Sequence, residues 1–183
     1  MFCLCLGYGF MQNIRLYNQL EEYMKVAIVY VSKYDTTEKI ATSIAKKLMA
    51  NNEVELFALN KNAEPNLSDF ETVIIGAPVY AGQINKKIKA FCQTNEAVLL
   101  QKKIGLFVCG MEIDKNLQNS ELKNAYSEVL LKNATASAFL GGEFKFERMN
   151  FFERLIIKKI AKTTTSVQRI FEEAIDEFVK IYN

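Results

Sequence analysis

The chain has 183 residues, half of them apolar, which is enough to bury one hydrophobic core of ordinary domain size but hardly two. It contains no histidine, which excludes Ser-His-Asp hydrolysis, Cys-His proteolysis, HExxH zinc chemistry and every metal site that needs a histidine ligand. The 23 basic and 21 acidic residues give a formal net charge of +2, too small to indicate a nucleic-acid partner.

The four cysteines are spaced neither as a zinc site nor as an iron–sulfur cluster, so we expect no metal. They are Cys3, Cys5, Cys92 and Cys109. Their small number favours reduced thiols and a cytoplasmic location. The uncharged opening stretch is too short to span a bilayer and no basic residue precedes it, so we expect no export signal.

Residues 1–23 differ from the rest of the chain because they show no clear hydrophobic period. Met24 and Lys25 then lead into a strongly apolar run, so Met24 resembles a natural start. Two interpretations of this extension remain. It is either the product of an upstream start codon or a loosely ordered arm, or it is a small arm that touches a membrane or carries reactive thiols. We expect residues 24–183 to form one domain.

From Lys25 onward, short β-rich runs alternate with segments of helical period. The predicted strands are 25–32, 54–59, 72–76, 103–109 and 136–140. Helical spacing indicates one helix over 37–50 and others that contain Ile84 to Cys92, Leu122 to Leu130 and Val167 to Tyr182. This alternation predicts an α/β fold, a doubly wound parallel sheet with helices on both faces. The strand order 2-1-3-4-5 suits the count and size at least as well as any other.

Sheets of this kind bind ligands at the carboxyl ends of their strands, where the first and third strands lie side by side. Five of the six glycines from Met24 onward follow the third, fourth and fifth predicted strands: Gly76, Gly82, Gly110, Gly141 and Gly142. They indicate close approach of the backbone to a ligand, although strand-to-helix turns use glycine anyway.

Four hydroxyl side chains lie in the turn after the first strand, which reads SKYDTTEK: Ser32, Tyr34, Thr36 and Thr37. Such hydroxyls, with the free N–H groups of a helix N-terminus, bind a phosphate without a positive side chain. The same residues also fit a capping box, with Asp35 as the cap and Glu38 bonding back to it. The two interpretations are compatible. Nucleotide-hydrolysing and dinucleotide types of phosphate site are not expected, because GxxxxGK[ST] and GxGxxG are absent.

Three segments carry a resemblance to the flavodoxin-like family. The turn SKYDTT resembles the flavodoxin phosphate loop TxTGxT, and VIIGAPVYAGQINKKIKAF is similar to the loop after the third strand, which lies against the isoalloxazine ring in that family. The segment MNFFERLIIKKIAK resembles the stretch before the last helix in the menaquinone-dependent protoporphyrinogen oxidase branch. The resemblance runs from Met24 to the C-terminus and implies a five-stranded flavodoxin-like fold that binds FMN.

The resemblance assigns FMN contacts to three loops. They are Ser32, Lys33, Tyr34, Asp35, Thr36 and Thr37; then Ala77, Pro78, Val79, Tyr80, Ala81 and Gly82; and finally Cys109 and Gly110. Asp35 stands where the family has glycine, and we expect its carboxylate to point away from the phosphate and to cap the helix. Since the chain has no tryptophan, Tyr80 is expected to stack on the flavin. Cys109 is interpreted as a buried structural thiol.

Residues 144–164 contain six basic and two acidic residues, a local charge of 6 − 2 = +4. The segment holds more apolar side chains than one helical face can bury. This composition suits contact with an anionic membrane surface or a flat apolar substrate. An ordinary helix that packs on the sheet explains it equally well.

The resemblance therefore implies an FMN-binding redox protein. Its third segment implies a quinone-dependent enzyme that oxidises protoporphyrinogen IX with menaquinone as acceptor. Two alternatives stay open. A soluble electron carrier of flavodoxin type needs no basic segment, and a flavin-free interaction protein of the same fold is compatible with Asp35 in the phosphate loop. The expected partners are FMN and a quinone or a redox protein, with peripheral membrane contact through 144–164. No catalytic residue is identified.

Overall fold

The computed structural model describes residues 23–61, 64–80, 83–144 and 166–183. The strands are β1 (Met24–Tyr30), β2 (Asn52–Ala58), β3 (Thr72–Tyr80), β4 (Gln83–Ile84), β5 (Lys103–Cys109), β6 (Ala134–Phe139), β7 (Gly141–Phe144) and β8 (Val167–Ile170). The helices are α1 (Thr36–Leu48), α2 (Lys86–Leu99), α3 (Lys115–Ala125), α4 (Glu128–Asn133) and α5 (Glu172–Lys180), with a 3-10 turn at Leu67–Asp69.

Five parallel strands form the main sheet in the order β2-β1-β3-β5-β6. When only the parallel strands are numbered, this is the order 2-1-3-4-5, so the predicted fold class and strand order are confirmed. The short β4 pairs antiparallel with the end of β3, where Val79 faces Ile84. The point at which the order reverses lies between β1 and β3, and their carboxyl ends form the edge at which ligands bind in such folds.

Both faces of the sheet are covered by helices, which explains why the central strands are continuously apolar. Helices α1 and α5 pack on one face, with Ile44 and Phe178 among the buried side chains. The other face is covered by α2, α3 and α4, which contribute Phe91 and Leu130 among others. Ile74 of β3 is fully buried, as a strand residue between two helical layers must be.

One helix predicted around Leu122 to Leu130 is in fact two. Tyr126 has extended backbone between α3 and α4, and the Ser127 hydroxyl accepts a hydrogen bond from the Leu130 N–H to begin α4. The Tyr126 hydroxyl donates to the backbone carbonyls of Ile75 and Phe107, at 2.9 and 2.7 Å. This anchoring into the sheet interrupts the helix, a tertiary effect that helical spacing does not register.

The final helix begins later than predicted, because Val167–Ile170 forms β8 and pairs antiparallel with β7. Gly141 has a φ of 76°, and a side chain there would collide with the carbonyl of Arg169. This close pairing satisfies the backbone of 167–170 as a strand, so the helical spacing of its apolar residues is overridden. Phe144 faces Val167 at the far end of the hairpin.

The third strand is longer than predicted and runs on to Tyr80. Gly76 consequently lies inside the sheet, where a Cβ atom would be 2.2 Å from the ring of Phe107. This glycine makes room for an aromatic side chain of the neighbouring strand, so its role is packing and not the ligand contact that the glycine pattern indicated.

Two of the predicted segments lie outside the described residues: 1–22 of the extension and 145–165, nearly all of the basic segment. None of the helices in the described part of the chain has the length and apolar character that crossing a membrane requires.

Candidate functional site

The loop that follows β1 buries hydroxyl groups at the carboxyl edge of the sheet. Ser32, Thr36 and Thr37 are all buried, whereas Lys33 is exposed. The Asn60 side-chain amide donates to the backbone carbonyl of Ser32 at 3.0 Å and fixes the start of the loop. The Ser32 Oγ atom itself is buried without a hydrogen-bond partner. A buried hydroxyl without a hydrogen-bond partner lowers the stability of the protein unless a ligand supplies the missing hydrogen bond.

Asp35 precedes α1 in a left-handed conformation, with φ 66° and ψ −7°. It is the one non-glycine residue with positive φ among those that the structure describes. Glycine, the family's residue at this position, adopts left-handed backbone without steric cost because it has no Cβ atom. Asp tolerates the same conformation better than most other residues. Because α1 begins at Thr36, the N–H groups of its first turn have no acceptor inside the helix.

The predicted capping box is wrong, although Asp35 does occupy the N-cap position. Its side chain makes no capping hydrogen bond, because a capping side chain requires extended backbone at that residue and Asp35 is left-handed. Glu38 does not bond back to the cap. Its carboxylate instead pairs with the Lys61 ammonium at 2.8 Å.

Glu143 connects the hairpin of β7 and β8 to the hydroxyl-rich loop after β1 and to the first turn of α1. The Thr36 hydroxyl donates to the Glu143 carbonyl at 3.0 Å, and the Lys39 ammonium pairs with the Glu143 carboxylate at 2.7 Å. Sequence analysis missed Glu143. No local pattern could have indicated it, since 107 residues separate it from Thr36.

The loops after β1 and β3, which were predicted separately, meet through two aromatic rings. Tyr34 and Tyr80 lie edge to face with centroids 6.2 Å apart, and the Lys33 ammonium lies 5.0 Å from the centre of the Tyr34 ring. Tyr80 is 46% exposed, so much of its ring remains accessible to a ligand. The structure thus brings the predicted phosphate loop and the predicted stacking residue into one site.

Cys109 ends β5 directly opposite Pro78 of β3, and Gly110 follows it. Burial raises the pKa of the Cys109 thiol to about 12, and the nearby Thr37 side chain offsets part of this increase. The thiol is therefore protonated and a poor nucleophile at neutral pH, which agrees with a structural interpretation. It lies beside Thr37 and belongs to the core layer that α1 covers.

The remaining predicted contacts come from the end of β3. Ala77 and Pro78 are buried within the strand, Val79 is half-buried, and Ala81 and Gly82 lie outside the described residues. The residues in this region fit a phosphate through the Ser32 and Thr37 hydroxyls and the first-turn N–H groups of α1. The negative charge of the Asp35 carboxylate, at the N-cap of α1, opposes an anion.

A hydroxyl loop at the switch point of a 2-1-3-4-5 sheet is the arrangement of a known family, and the sequence profile described as "Flavodoxin domain" matches residues 27–169. The chain belongs to the flavodoxin domain family. The matched range of this flavodoxin domain includes all three loops of the candidate site, together with Glu143.

Two curated proteins are similar to this flavodoxin-domain chain. Protoporphyrinogen IX dehydrogenase [quinone] of Leishmania major is 24% identical over 146 residues, which are 76% of this chain and 63% of that protein. Flavodoxin of Clostridium saccharobutylicum is 29% identical over 84 residues, 45% of this chain and 52% of that protein. The chain therefore spans less than two thirds of the length of either relative.

Among solved structures, oxidised flavodoxin 1 from Bacillus cereus superposes with a TM-score of 0.52 at 14% identity. The superposition covers 86% of this chain and 96% of that one. At this identity the similarity supports the fold.

Proposed function

We propose that this chain is a flavoprotein that binds FMN at the carboxyl edge of its sheet and transfers electrons. The observation that carries the proposal is the buried Ser32 hydroxyl without a partner. It lies in the loop that resembles the flavodoxin phosphate loop, within the range that matches the flavodoxin domain. A ligand bound at this loop would supply the hydrogen bond that the Ser32 hydroxyl lacks in the free chain.

The phosphate would be held by hydroxyl and backbone donors. Ser32 and Thr37 supply buried hydroxyls from opposite ends of the loop, and the first turn of α1 supplies N–H groups and the positive end of the helix dipole. The Thr36 hydroxyl donates to Glu143 and so fixes the loop instead of serving the phosphate. A site built on one terminal phosphate favours FMN over FAD.

The ring system would lie along the edge formed by Tyr80 and Gly110. FMN, when bound, accepts electrons from a donor and passes them to an acceptor. The half-exposed Tyr80 ring would cover one face of the flavin, held at its edge by Tyr34. The protonated, buried Cys109 thiol would take no part in the electron transfer.

Titration of the purified full chain with FMN tests the proposal. We expect quenched flavin fluorescence and tighter binding of FMN than of FAD. Thr37→Val should weaken FMN binding by roughly 1–3 kcal/mol, because a charge-assisted hydrogen bond is lost. Thr72→Val is the matched control: Thr72 is also buried, has no hydrogen-bond partner, and lies at the start of β3, far from the loop. FMN affinity should not change in the control.

Ser32→Ala separates a ligand site from a packing defect. Removal of an unpartnered hydroxyl should leave the free protein equally stable or more stable, while the affinity for FMN falls. Equal FMN affinities for the parent, Ser32→Ala and Thr37→Val would contradict the proposed site. Tighter binding of FAD would contradict the choice of cofactor.

The finer proposal is that the flavoprotein oxidises protoporphyrinogen IX and passes the electrons to menaquinone. It is supported by the similarity to the Leishmania major dehydrogenase and by the resemblance of residues 149–162 to that branch of the family. The test is anaerobic turnover of the FMN-loaded chain with protoporphyrinogen IX and a menaquinone analogue, in which porphyrin fluorescence measures the product. Porphyrin that forms only when both FMN and quinone are present is the expected result.

Electron carriage of flavodoxin type is the second candidate, favoured by the similarity to the Clostridium saccharobutylicum flavodoxin. A carrier would exchange electrons rapidly with a soluble flavoprotein reductase and form no porphyrin above the background. The same FMN-loaded preparation, divided between the two assays, distinguishes the two candidates.

A further inference from the structure

Glu121 on α3 has an unusual place beneath the loop that follows β5. Its Oε2 atom is buried without a hydrogen-bond partner. It packs against Gly110 so closely that a Cβ atom at that glycine would be 3.0 Å from the carboxylate oxygen and 3.0 Å from the Phe139 ring. The contact joins a carboxyl group directly to the backbone at which the loop begins.

The same loop carries a second carboxylate whose surroundings are different. Glu112 Oε1 accepts hydrogen bonds from the backbone N–H groups of Ile113 and Asp114, at 2.8 and 2.9 Å. The Gln118 amide of α3 donates to the Glu112 carbonyl at 2.8 Å. Glu112 thus holds the backbone of the loop itself, whereas Glu121 Oε2 is buried without a partner, and such burial favours the neutral carboxyl of Glu121.

We propose that Glu121 is a proton-linked positioning residue, which gains and loses a proton beneath the loop Gly110–Asp114 and so sets how closely this loop approaches the ligand site. When it carries a proton, Glu121 packs against Gly110 and Phe139 without charge. When it is ionised, repulsion from Glu112 and the cost of burial drive the carboxylate towards water and loosen the loop. The inference rests on the proposed function in one respect, because the loop is taken as a wall of the flavin site.

The groups around Glu121 support this role. Burial raises the pKa of the Glu121 carboxyl above its ordinary value of 4.5, and the charge of Glu112 adds to the increase. Strands β4 and β6 pack against α3 and contain no titratable residue. The titratable side chains that β3 and β5 bring to this edge are Tyr80 and Cys109, while Lys103 begins β5 at the opposite edge.

Carboxyl and amide NMR on the flavin-free full chain tests the proposal without any cofactor. We expect Glu121 to titrate with a midpoint above 4.5, and the amide signals of Gly110 and Glu112 to shift with that same midpoint. Glu121→Gln, which mimics the protonated form, should abolish the shared transition. Glu112→Gln should lower the Glu121 midpoint, and Glu128→Gln, an exposed carboxylate paired with Lys132 on α4, should leave it unchanged.

FMN binding supplies the second measurement. The ratio of the parent Kd to the Glu121→Gln Kd should be close to one at low pH and rise roughly threefold to tenfold as pH passes the Glu121 midpoint, since one pKa unit corresponds to a factor of ten. The FMN phosphate titrates identically in both proteins, so the ratio removes its contribution.

The outcomes separate the two proposals. Any one of three results overturns the positioning role: an ordinary titration midpoint for Glu121, loop amide signals that do not shift with that midpoint, or a Kd ratio that does not change with pH. If no flavin binds to either protein, the proposed function fails, and the NMR titration alone decides whether Glu121 positions the loop.

Discussion

Tyr34 and Tyr80 meet edge to face, with their ring planes at 85° and their centroids 6.2 Å apart. The contact joins the loop after β1 to the end of β3, two segments that touch a flavin at different points in the family that the sequence resembles. Edge-to-face pairs contribute about 0.5–1.5 kcal/mol beyond their burial. Tyr34 therefore restrains the Tyr80 ring before any ligand arrives.

The exposed Tyr80 ring gives the first prediction. Tyr80→Ala should weaken FMN binding by about 1 kcal/mol or more and restore part of the flavin fluorescence, because the aromatic face over the ring system is lost. Circular dichroism should show an intact fold. Tyr23→Ala is the control, since Tyr23 is also exposed but lies before β1, at the opposite edge of the sheet. Unchanged quenching in Tyr80→Ala would disprove stacking.

The left-handed Asp35 gives the second prediction. Asp35→Gly and Asp35→Asn should both strengthen FMN binding by about 1–3 kcal/mol, because each removes a negative charge from the N-cap of α1, where no capping hydrogen bond holds the carboxylate away from the phosphate. Asp35→Ala removes the same charge but places a Cβ atom at φ 66°, so its free energy of unfolding should fall about 1–2 kcal/mol below that of Asp35→Gly. Isothermal titration and urea unfolding measure the two effects. Equal affinity in all four proteins would show that the carboxylate does not act on the phosphate.

The buried thiols give the third prediction. Burial raises the pKa of both Cys92 and Cys109 to about 12, so iodoacetamide at pH 8 should leave both unmodified in the folded protein. In denaturant both should react within minutes. Peptide mass spectrometry resolves each site. Rapid modification of Cys109 in the folded chain would reopen its interpretation as a redox-active thiol.

The dependence of stability on pH gives the fourth prediction. The native pKa of Glu121 lies above the ordinary 4.5, so between these two values the folded chain binds more protons than the unfolded chain. The contribution of Glu121 to the free energy of unfolding is therefore present below pH 4.5 and lost as pH rises through the native pKa. The glutamine in Glu121→Gln cannot ionise, so the free energy of unfolding of this variant should not show that loss. The difference in free energy of unfolding between the parent and Glu121→Gln should grow as pH rises from 4.5 through the native pKa and then remain constant. A difference that is the same at every pH would contradict the assignment.

The basic segment gives the fifth prediction. Deletion of Lys145 to Lys162, with the ends joined by a short Gly/Ser loop, should spare the sheet and the FMN site, because Phe144 and Val167 are already paired. The deletion should abolish binding to anionic vesicles and quinone-coupled oxidation. High salt should release the intact chain from vesicles, since each basic residue near such a surface contributes about 1 kcal/mol. Loss of folding on deletion would show that the segment belongs to the core.

Much of the fold followed from local patterns. The run from Val26 to Val29 is apolar throughout because the strand is buried on both faces, and the apolar stripe of α1 predicted which of its residues, such as Ile40 and Ile44, pack on the sheet. These features depend on neighbours in sequence, so the sequence displays them directly.

What the sequence did not predict depends on contacts between distant segments. Val167–Ile170 has helical spacing but becomes a strand because β7 supplies its hydrogen bonds, and Tyr126 breaks a helix because two carbonyls of the sheet accept its hydroxyl. At the site, the hydroxyl loop was recognised from its composition. The hydrogen bond from Thr36 to Glu143 and the buried, unpartnered Oε2 of Glu121 could not be recognised in this way, because both depend on how distant segments pack together in the folded chain.

The hairpin of β7 and β8 has a practical consequence. Residues paired directly across an antiparallel ladder have Cα atoms only about 5 Å apart, so the two ends of whatever chain lies between Phe144 and Val167 are held together. A protein domain whose termini are close, such as a fluorescent reporter, could be spliced in at this point without straining the sheet. Glu143 on the same hairpin accepts a hydrogen bond from Thr36 and pairs with Lys39 in the first turns of α1, so such a fusion would place its reporter near the loop after β1.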